Sequence, residues 1–429
     1  MHPPLYYVLV HTLSSLFMNL DIKWIGLMVS IPLAIVAYWQ YVWMCRRLGM
    51  RDWMALALPA TFVLGACFMN NTVLLFRMYG LMTVWSNFLV MVFLRYAPEE
   101  RGSAAYFASL FAVLAGGILT QYYFLIYAFF ACLVYAIAVA VARNWRKLCA
   151  SLAVAAAAIA AAFLVFPAMY DHIFTGYRGQ EAFESALSGG LWELLSEYLY
   201  DLHVDLFAGL TLVVAVALAV LIVLAWRGGS PKMGSDTALG YCLMAMPALL
   251  YLLVVSKVGW AVSMRYVVSV CGLLYLSLFG IMAELADGLP KGSSPASAVV
   301  LLLSAAIMLW SYSDGVEYLY LEDDDAIDAI VAEGDADGVV VYDSDAAFHS
   351  HSKNLEYGSY MDDVAFLTEE SVDGFDYGYI DSDSIFVFVD KDYDDGTADE
   401  VLESIMDDTG FTGCEYEFEI GYFYVYLLE

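Results

Sequence analysis

Apolar runs of about 17–23 residues recur along the first three-quarters of the chain, the length that crosses a hydrocarbon layer of roughly 30 Å as a helix. Ten spanning helices are predicted, over 24–44, 52–70, 80–96, 103–119, 122–142, 149–168, 204–226, 238–256, 266–284 and 297–312. Pro98, Gly102, Gly228-Gly229-Ser230-Pro231 and the stretch from Pro290 to Pro295 supply turn signals between several of them. A further apolar, aromatic helix is expected over 2–18. It opens on Pro3 and Pro4, which a first helical turn tolerates because its N–H groups have no intrahelical partner. Leu191–Asp205 reads as amphipathic, with Leu191, Leu194, Leu195, Tyr198, Leu199 and Leu202 on one side and Glu193, Glu197 and Asp201 on the other.

After Ser313 the period changes. Residues 339–342 and 385–389 are short buried-strand patterns, and 415–427 alternates or runs aromatic as strand. Thr397, with Glu400 three residues on, marks a capping box for a helix to Asp408. The predicted fold class is therefore an all-α polytopic membrane protein over 1–312, about ten spans plus an N-terminal juxtamembrane helix. A small α/β domain over 313–429 follows it.

The charges sharpen this division. Of 48 acidic residues, 34 follow Ser313, against only Lys353 and Lys391, so the net charge of −30 belongs to the tail. Such a surface repels phosphates and excludes nucleic acid as a partner. In the first part, Arg46, Arg47, Arg51, Arg95, Arg101, Arg143, Arg146, Lys147, Arg227, Lys232 and Lys291 fall on one side if the spans alternate. Lys23, Arg77, Arg178, Lys257 and Arg265 fall on the other. The first side is expected to be cytoplasmic, in a plasma membrane. That count keeps 2–18 from crossing, lays it along the outer face, and makes the acidic domain extracytoplasmic. The seven cysteines show no CxxC spacing and read as buried small hydrophobes rather than zinc ligands or a disulfide framework.

Cations at the outer ends of spans need a reason, since a charge in hydrocarbon costs about 2.5–3.5 kcal/mol and usually lines a cavity or path. Arg77-Met78-Tyr79 follows Asn70-Asn71, Met264-Arg265-Tyr266 opens another helix, and Thr120-Gln121-Tyr122-Tyr123 marks a tight turn. His2 and the Tyr6-Tyr7 pair share that face. Arginine offers paired donors to phosphate oxygens, and tyrosine tolerates half-wet positions, so the set suits a phosphate at the lipid boundary. Snorkelling arginines within an interfacial aromatic belt are the structural alternative. His203 with Asp205 fits a helix end or a proton relay, and Asp343 with Asp345 a solvated turn or a cation site. No Gly-rich phosphate loop, HExxH or GxSxG occurs, and no cofactor or metal is expected.

His2-Pro3-Pro4-Leu5-Tyr6-Tyr7 resembles the HPPLYY or KPPLYY segment of C-type (GT-C) membrane glycosyltransferases, which include protein O-mannosyltransferases and the aminoarabinose transferases of lipid A. Arg77-Met78-Tyr79 is similar to their outer-face RxY element, and Met264-Arg265-Tyr266 to their late A-R-Y element. Thr120-Gln121-Tyr122 stands where they carry T-H-Y. The resemblance implies an inverting transfer of a sugar from a polyprenyl-phosphate donor at the outer face, to a protein, polysaccharide or lipid acceptor. It places His2, Tyr6, Tyr7, Arg77, Tyr79, Gln121, Tyr122, Arg265 and Tyr266 around the donor. The family's catalytic acid lies in a loop before HPPLYY. This chain begins on the motif, so a shortened chain is expected. Asp21, Asp171 and Glu181 are outward acids, none singled out as the base. A lipid-linked-sugar flippase or transporter, and an inactive cell-envelope assembly protein, are the alternative readings.

Overall fold

A computed structural model describes residues 3–18, 20, 22–175, 191–228, 234–258, 263–289, 296–313, 324–333, 337–344, 361, 363–372, 374–378, 380, 382, 384–393 and 395–429. The chain divides into two compact units, Met1–Val316 and Glu317–Glu429.

In the first unit every predicted span is helical. The helices are α1 (Pro4–Leu16), α2 (Ile22–Arg47), α3 (Asp52–Val63), α4 (Ala66–Phe68, running into a π turn over Met69–Val73), α5 (Tyr79–Tyr96), α6 (Ala104–Ile118), α7 (Tyr122–Val141) and α8 (Trp145–Val165). Then come α9 (Leu191–Asp201), α10 (Thr211–Gly228), α11 (Ser235–Val258), α12 (Met264–Asp287) and α13 (Ala296–Trp310). Five of them, α2, α7, α8, α11 and α12, are long and apolar enough to cross a membrane, and up to seven spans result if each bent helix pair is one span. The span predicted over 52–70 is such a pair, broken at Leu64-Gly65 and bent by 57°; residues 194–206 and 211–227 form the second, bent by 85°. α6 and α13 have 15 residues each. At about 1.5 Å per residue they fall short of a hydrocarbon core, so helical periodicity alone does not make them straight spans.

α12 is the centre. Val267, Val268, Val270, Cys271, Leu273, Phe279 and Met282 are fully buried, and its faces pack on α3, α5, α10, α11 and α13. A helix apolar on all sides finds its place inside a bundle. Lipid gives helices no hydrophobic reason to associate, so close packing and interhelical hydrogen bonds hold them. Gly272 lets α12 approach α2 and α3, because a Cβ there would meet the Tyr41 hydroxyl and the Phe62 ring. Ser304 of α13 lies 2.5 Å from Thr61 Oγ1 of α3 and 2.7 Å from Tyr275 Oη of α12, joining three helices. Gln40 Nε2 of α2 donates to Val84 O of α5 over 3.1 Å.

Along the amphipathic segment, Leu195, Tyr198, Leu202 and Leu206 are buried, while Leu199, expected in the same stripe, is 53% exposed. The buried stripe is narrower than expected, running through Leu195, Tyr198 and Leu202 with Leu199 on its flank; the helix ends at Asp201 and a π turn follows over Leu202–Leu206. All seven cysteines are free thiols.

The second unit holds α14 (Asp324–Glu333), β1 (Asp337–Tyr342), β2 (Val364–Thr368), α15 (Glu369–Val372), β3 (Ile385–Asp390), α16 (Asp395–Thr409), β4 (Cys414–Ile420) and β5 (Phe423–Leu428). The strand order is β2-β1-β3-β5-β4; β1 pairs parallel with β2 and β3, and β5 pairs antiparallel with β3 and β4. β1 and β3 are buried on both faces, as their unbroken apolar runs require. Val340, Phe386 and Phe388 pack with Ile327 and Ile330 on one side; Val339, Val341 and Val387 pack with Val401 and Ile405 on the other. α14 and β2 are absent from the sequence reading, and the single predicted strand over 415–427 is a hairpin turning at Gly421 (φ +53°). The last helix starts at Asp395, so Thr397 sits inside its first turn rather than capping it.

Gly272→Ala is expected to destabilise the first unit by about 1–3 kcal/mol through overpacking against Tyr41 and Phe62. Thermal unfolding of the purified protein, with Gly234→Ala as the comparison where a Cβ meets only Thr237 Oγ1 at 3.9 Å, measures it.

Candidate functional site

The site begins with two helix starts. α5 opens at Tyr79 and α12 at Met264, and each has an arginine beside that first residue, Arg77 and Arg265. Both arginines are half-buried. Arg77 lies in the short link after the π turn, its N–H donating to Leu75 O over 2.7 Å. Arg265 folds over its neighbour: Nη2 donates to Tyr266 Oη over 3.2 Å, and Cζ stands 5.0 Å from the Tyr266 ring centre. Its Nε is buried with no hydrogen-bond acceptor among the described residues.

The Tyr266 ring meets Tyr79 edge-on, with centres 6.0 Å apart, and Tyr123 of α7 at 5.1 Å. Tyr79 is buried, and both Arg77 and Arg265 act on its phenol electrostatically. The two arginine–tyrosine pairs of the sequence thus converge on one place. Tyr251 of α11 donates to Tyr266 O over 2.6 Å. Tyr198 of α9 reaches the backbone of Ser263, just before α12. Five phenols, from α5, α7, α9, α11 and α12, and two guanidiniums, Arg265 of α12 and Arg77 in the link before α5, therefore gather at the start of α12.

The N-terminal motif docks beside this cluster. Leu5 N–H donates to Leu119 O at the α6–α7 turn over 3.0 Å. Tyr6, 2% exposed, packs with Val29 and Met78 and meets Phe76 edge-on at 6.2 Å. It thus grips both sides of Arg77. Tyr7 is 45% exposed and touches Tyr6 edge-on. Gln121, 2% exposed, accepts from Tyr122 N over 2.8 Å and so caps α7; its Nε2 is buried without an acceptor among the described residues. Tyr122 turns away from the arginines: its hydroxyl lies 2.6 Å from His172 Nδ1. His2, Asp21 and Glu181 lie outside the described residues. His203 Nδ1 lies 3.0 Å from Thr211 Oγ1, bridging the helix break before α10.

Of the sequence-predicted residues, Arg77, Tyr79, Arg265 and Tyr266 come together, Tyr6 and Gln121 border them as packing and capping groups, and Tyr7 and Tyr122 point elsewhere. Tyr123 was legible as part of the Gln121 turn, although its neighbour is the residue singled out there. Tyr198 and Tyr251 were hidden, one in an amphipathic stripe and the other in an apolar span.

In the second unit, Tyr393 Oη donates to Tyr342 O over 2.7 Å. Burial, then the carboxylates of Glu369, Asp343 and Asp390, push the Tyr393 phenol above its ordinary range; burial and Asp390 push Tyr342 up to about 12. Among the described residues no group of three His, Cys, Asp or Glu is placed to hold a metal ion. Asp345 lies outside the described residues.

Comparison with family models and with curated protein sequences finds no match.

Tyr6→Ala is expected to cost about 3 kcal/mol by emptying the space between Val29, Met78 and Phe76. It should speed hydrogen exchange through α1. Tyr7→Ala, changing an exposed ring, should leave exchange in α1 as it is.

Proposed function

We propose that the first unit is a membrane glycosyltransferase of the C-type, which takes a sugar from a polyprenyl-phosphate donor and passes it to an acceptor hydroxyl. The observation that carries this is the approach of Arg77 and Arg265 to one buried tyrosine, Tyr79. A lipid-borne phosphate is the anion a membrane delivers to such a place. The resemblance of the four motifs names the same chemistry.

In this reading the guanidiniums of Arg77 and Arg265 hold the donor phosphate in a poorly hydrated setting. The acceptor oxygen attacks the anomeric carbon from the face opposite the phosphate, and the bond from that carbon to the phosphate oxygen breaks. The phosphate leaves with the extra negative charge, which the arginines stabilise more strongly than the bound diester. The acceptor proton passes to a base that the described residues do not assign. The ring of phenols keeps water from competing for the sugar. The buried Nε of Arg265 and Nε2 of Gln121 are donors that a ligand oxygen would satisfy. The accompanying topology has about ten crossings in a plasma membrane, with the cluster and the acidic unit on the outer side and α1 lying along that face.

A second reading has its own observation. Two helix pairs are bent, by 57° and 85°, and one member of each ends in a π turn, over Met69–Val73 and Leu202–Leu206. Broken helices at membrane depth mark substrate sites in transporters. A lipid-linked-sugar transporter would move the donor across vesicles without forming a glycosylated product.

Arg265→Ala is expected to lower sugar transfer from a polyprenyl-phosphate donor by roughly 100–1,000-fold, as for loss of one oxyanion donor. Expression and unfolding temperature should stay at the wild-type level. The measurement is product formation in proteoliposomes of the full chain; wild-type turnover in the variant overturns the role, and donor movement without product selects the transporter.

A further inference from the structure

At the far end of α5 the chain is built differently. Lys147, 1% exposed, donates to Tyr96 O over 2.6 Å and Glu99 O over 2.8 Å, and its ammonium rests over the rings of Tyr106 and Tyr135 at 5.2 and 5.7 Å. Those rings wall a small cavity of about 20 Å³, room for a water, between α6, α7 and α8, lined also by Leu110, Cys132, Val139 and Ser151. Tyr106 Oη and Ser151 Oγ, 2.8 Å apart, satisfy each other, while Tyr135 Oη is buried without a hydrogen-bond partner among the described residues. Leu152 on its rim is 55% exposed, so the cavity opens on the outside of the bundle, where lipid lies.

Above the opening stand exposed arginines. Arg143 and Arg146 occupy the α7–α8 turn, Arg101 the α5–α6 loop and Arg95 the last turn of α5. Asn144 Nδ2 donates to Glu100 O and ties the turn to the loop. None of the four arginines forms an ion pair among the described residues. Glu99 and Glu100 share this end; the Glu99 carboxylate takes the Ser103 amide over 2.9 Å. Arg143 holds φ +58°, a conformation that side-chain-bearing residues other than Asn and Asp rarely adopt. From Arg146 to Ser151 is about 8 Å along α8, so headgroup and first acyl carbons span the two features.

We propose that this end of the bundle binds an anionic phospholipid, its phosphate between Arg143, Arg146 and Arg101 and one acyl chain along the exposed apolar face of α8 at Leu152. Basic pockets between membrane helices recognise such headgroups by charge, and the chain adds apolar contact that a free phosphate lacks. Lys147 sets the walls: by fixing the end of α5 to α8, it holds Tyr106 and Tyr135 in place. The site lies an α5 length from the arginine–tyrosine cluster and stands whether or not that cluster handles a lipid phosphate.

The test uses the purified full chain in neutral detergent, titrated with dioleoyl-phosphatidylglycerol, with dioleoyl-phosphatidylcholine of the same chains, and with glycerol phosphate. Native mass spectrometry reads retained lipid, and unfolding temperature reads stabilisation. The anionic lipid should bind at least tenfold tighter than the zwitterionic one, and glycerol phosphate should give no shift. Arg143→Asn with Arg146→Gln, surface changes that keep the turn, should weaken the anionic lipid by roughly 30-fold. Equal retention of both lipids, an unchanged affinity in the arginine double variant, or equal stabilisation by glycerol phosphate overturns the proposal.

Discussion

The close burial of α12 is the constraint on which the first unit depends. In water such a helix would be held by the hydrophobic effect; in lipid, tails compete on equal terms with side chains. What remains is shape and a few hydrogen bonds. Gly272 permits the approach of Tyr41 and Phe62, and the Thr61–Ser304–Tyr275 contacts fix the rotation. Because the rotation is fixed, Arg265 and Tyr266 at the helix start have one place to go, against Tyr79 of α5 and Tyr123 of α7. The candidate site is thus a consequence of packing two and more turns away.

Periodicity made the helices legible, since hydrophobic length is a local property. It did not reveal the breaks. Leu64-Gly65 and residues 207–210 carry no proline and stand among apolar residues, so 52–70 and 204–226 each read as one helix. The arginine–tyrosine pairs were legible because a charge among apolar runs is costly and so stands out. Tyr198 and Tyr251 were not, because a phenol in an apolar run has the signature of an ordinary aromatic. Tyr122 and Tyr123 show the limit of motif reading: adjacent helical residues point about 100° apart, and only three-dimensional packing tells which one meets Tyr266 and which meets His172.

In the second unit, local pattern sufficed for the central strands and failed at the margins. β1 and β3 are buried on both faces, so their apolar runs are unbroken. β2 lies at the sheet edge as Val-Ala-Phe-Leu-Thr between acidic stretches, where length and alternation are both weak. The opposite edge strand, β4, alternates Glu415, Glu417 and Glu419 with Tyr416 and Phe418. Repeated carboxylates on an exposed edge discourage pairing with another chain. These three carboxylates therefore have a structural use at the sheet edge, apart from any partner the unit meets.

The two ends of α5 show how one helix divides its polar duties. Its carbonyl end takes cations from two neighbours: Arg47 Nε donates to Leu94 O over 3.4 Å, and Lys147 donates to Tyr96 O and Glu99 O. Positive charge belongs there, where the helix dipole is negative and carbonyls lack intrahelical partners. Its amide end, by contrast, bears Arg77 and draws Arg265, where the dipole is already positive. Two guanidiniums beside a helix N-terminus repel it and each other, a cost that tyrosine rings offset only in part. An anion placed between them would reverse the sign of each of these interactions at once. Lys147 itself is satisfied by two carbonyls; the amide end is a concentration of positive charge that a bound phosphate would balance.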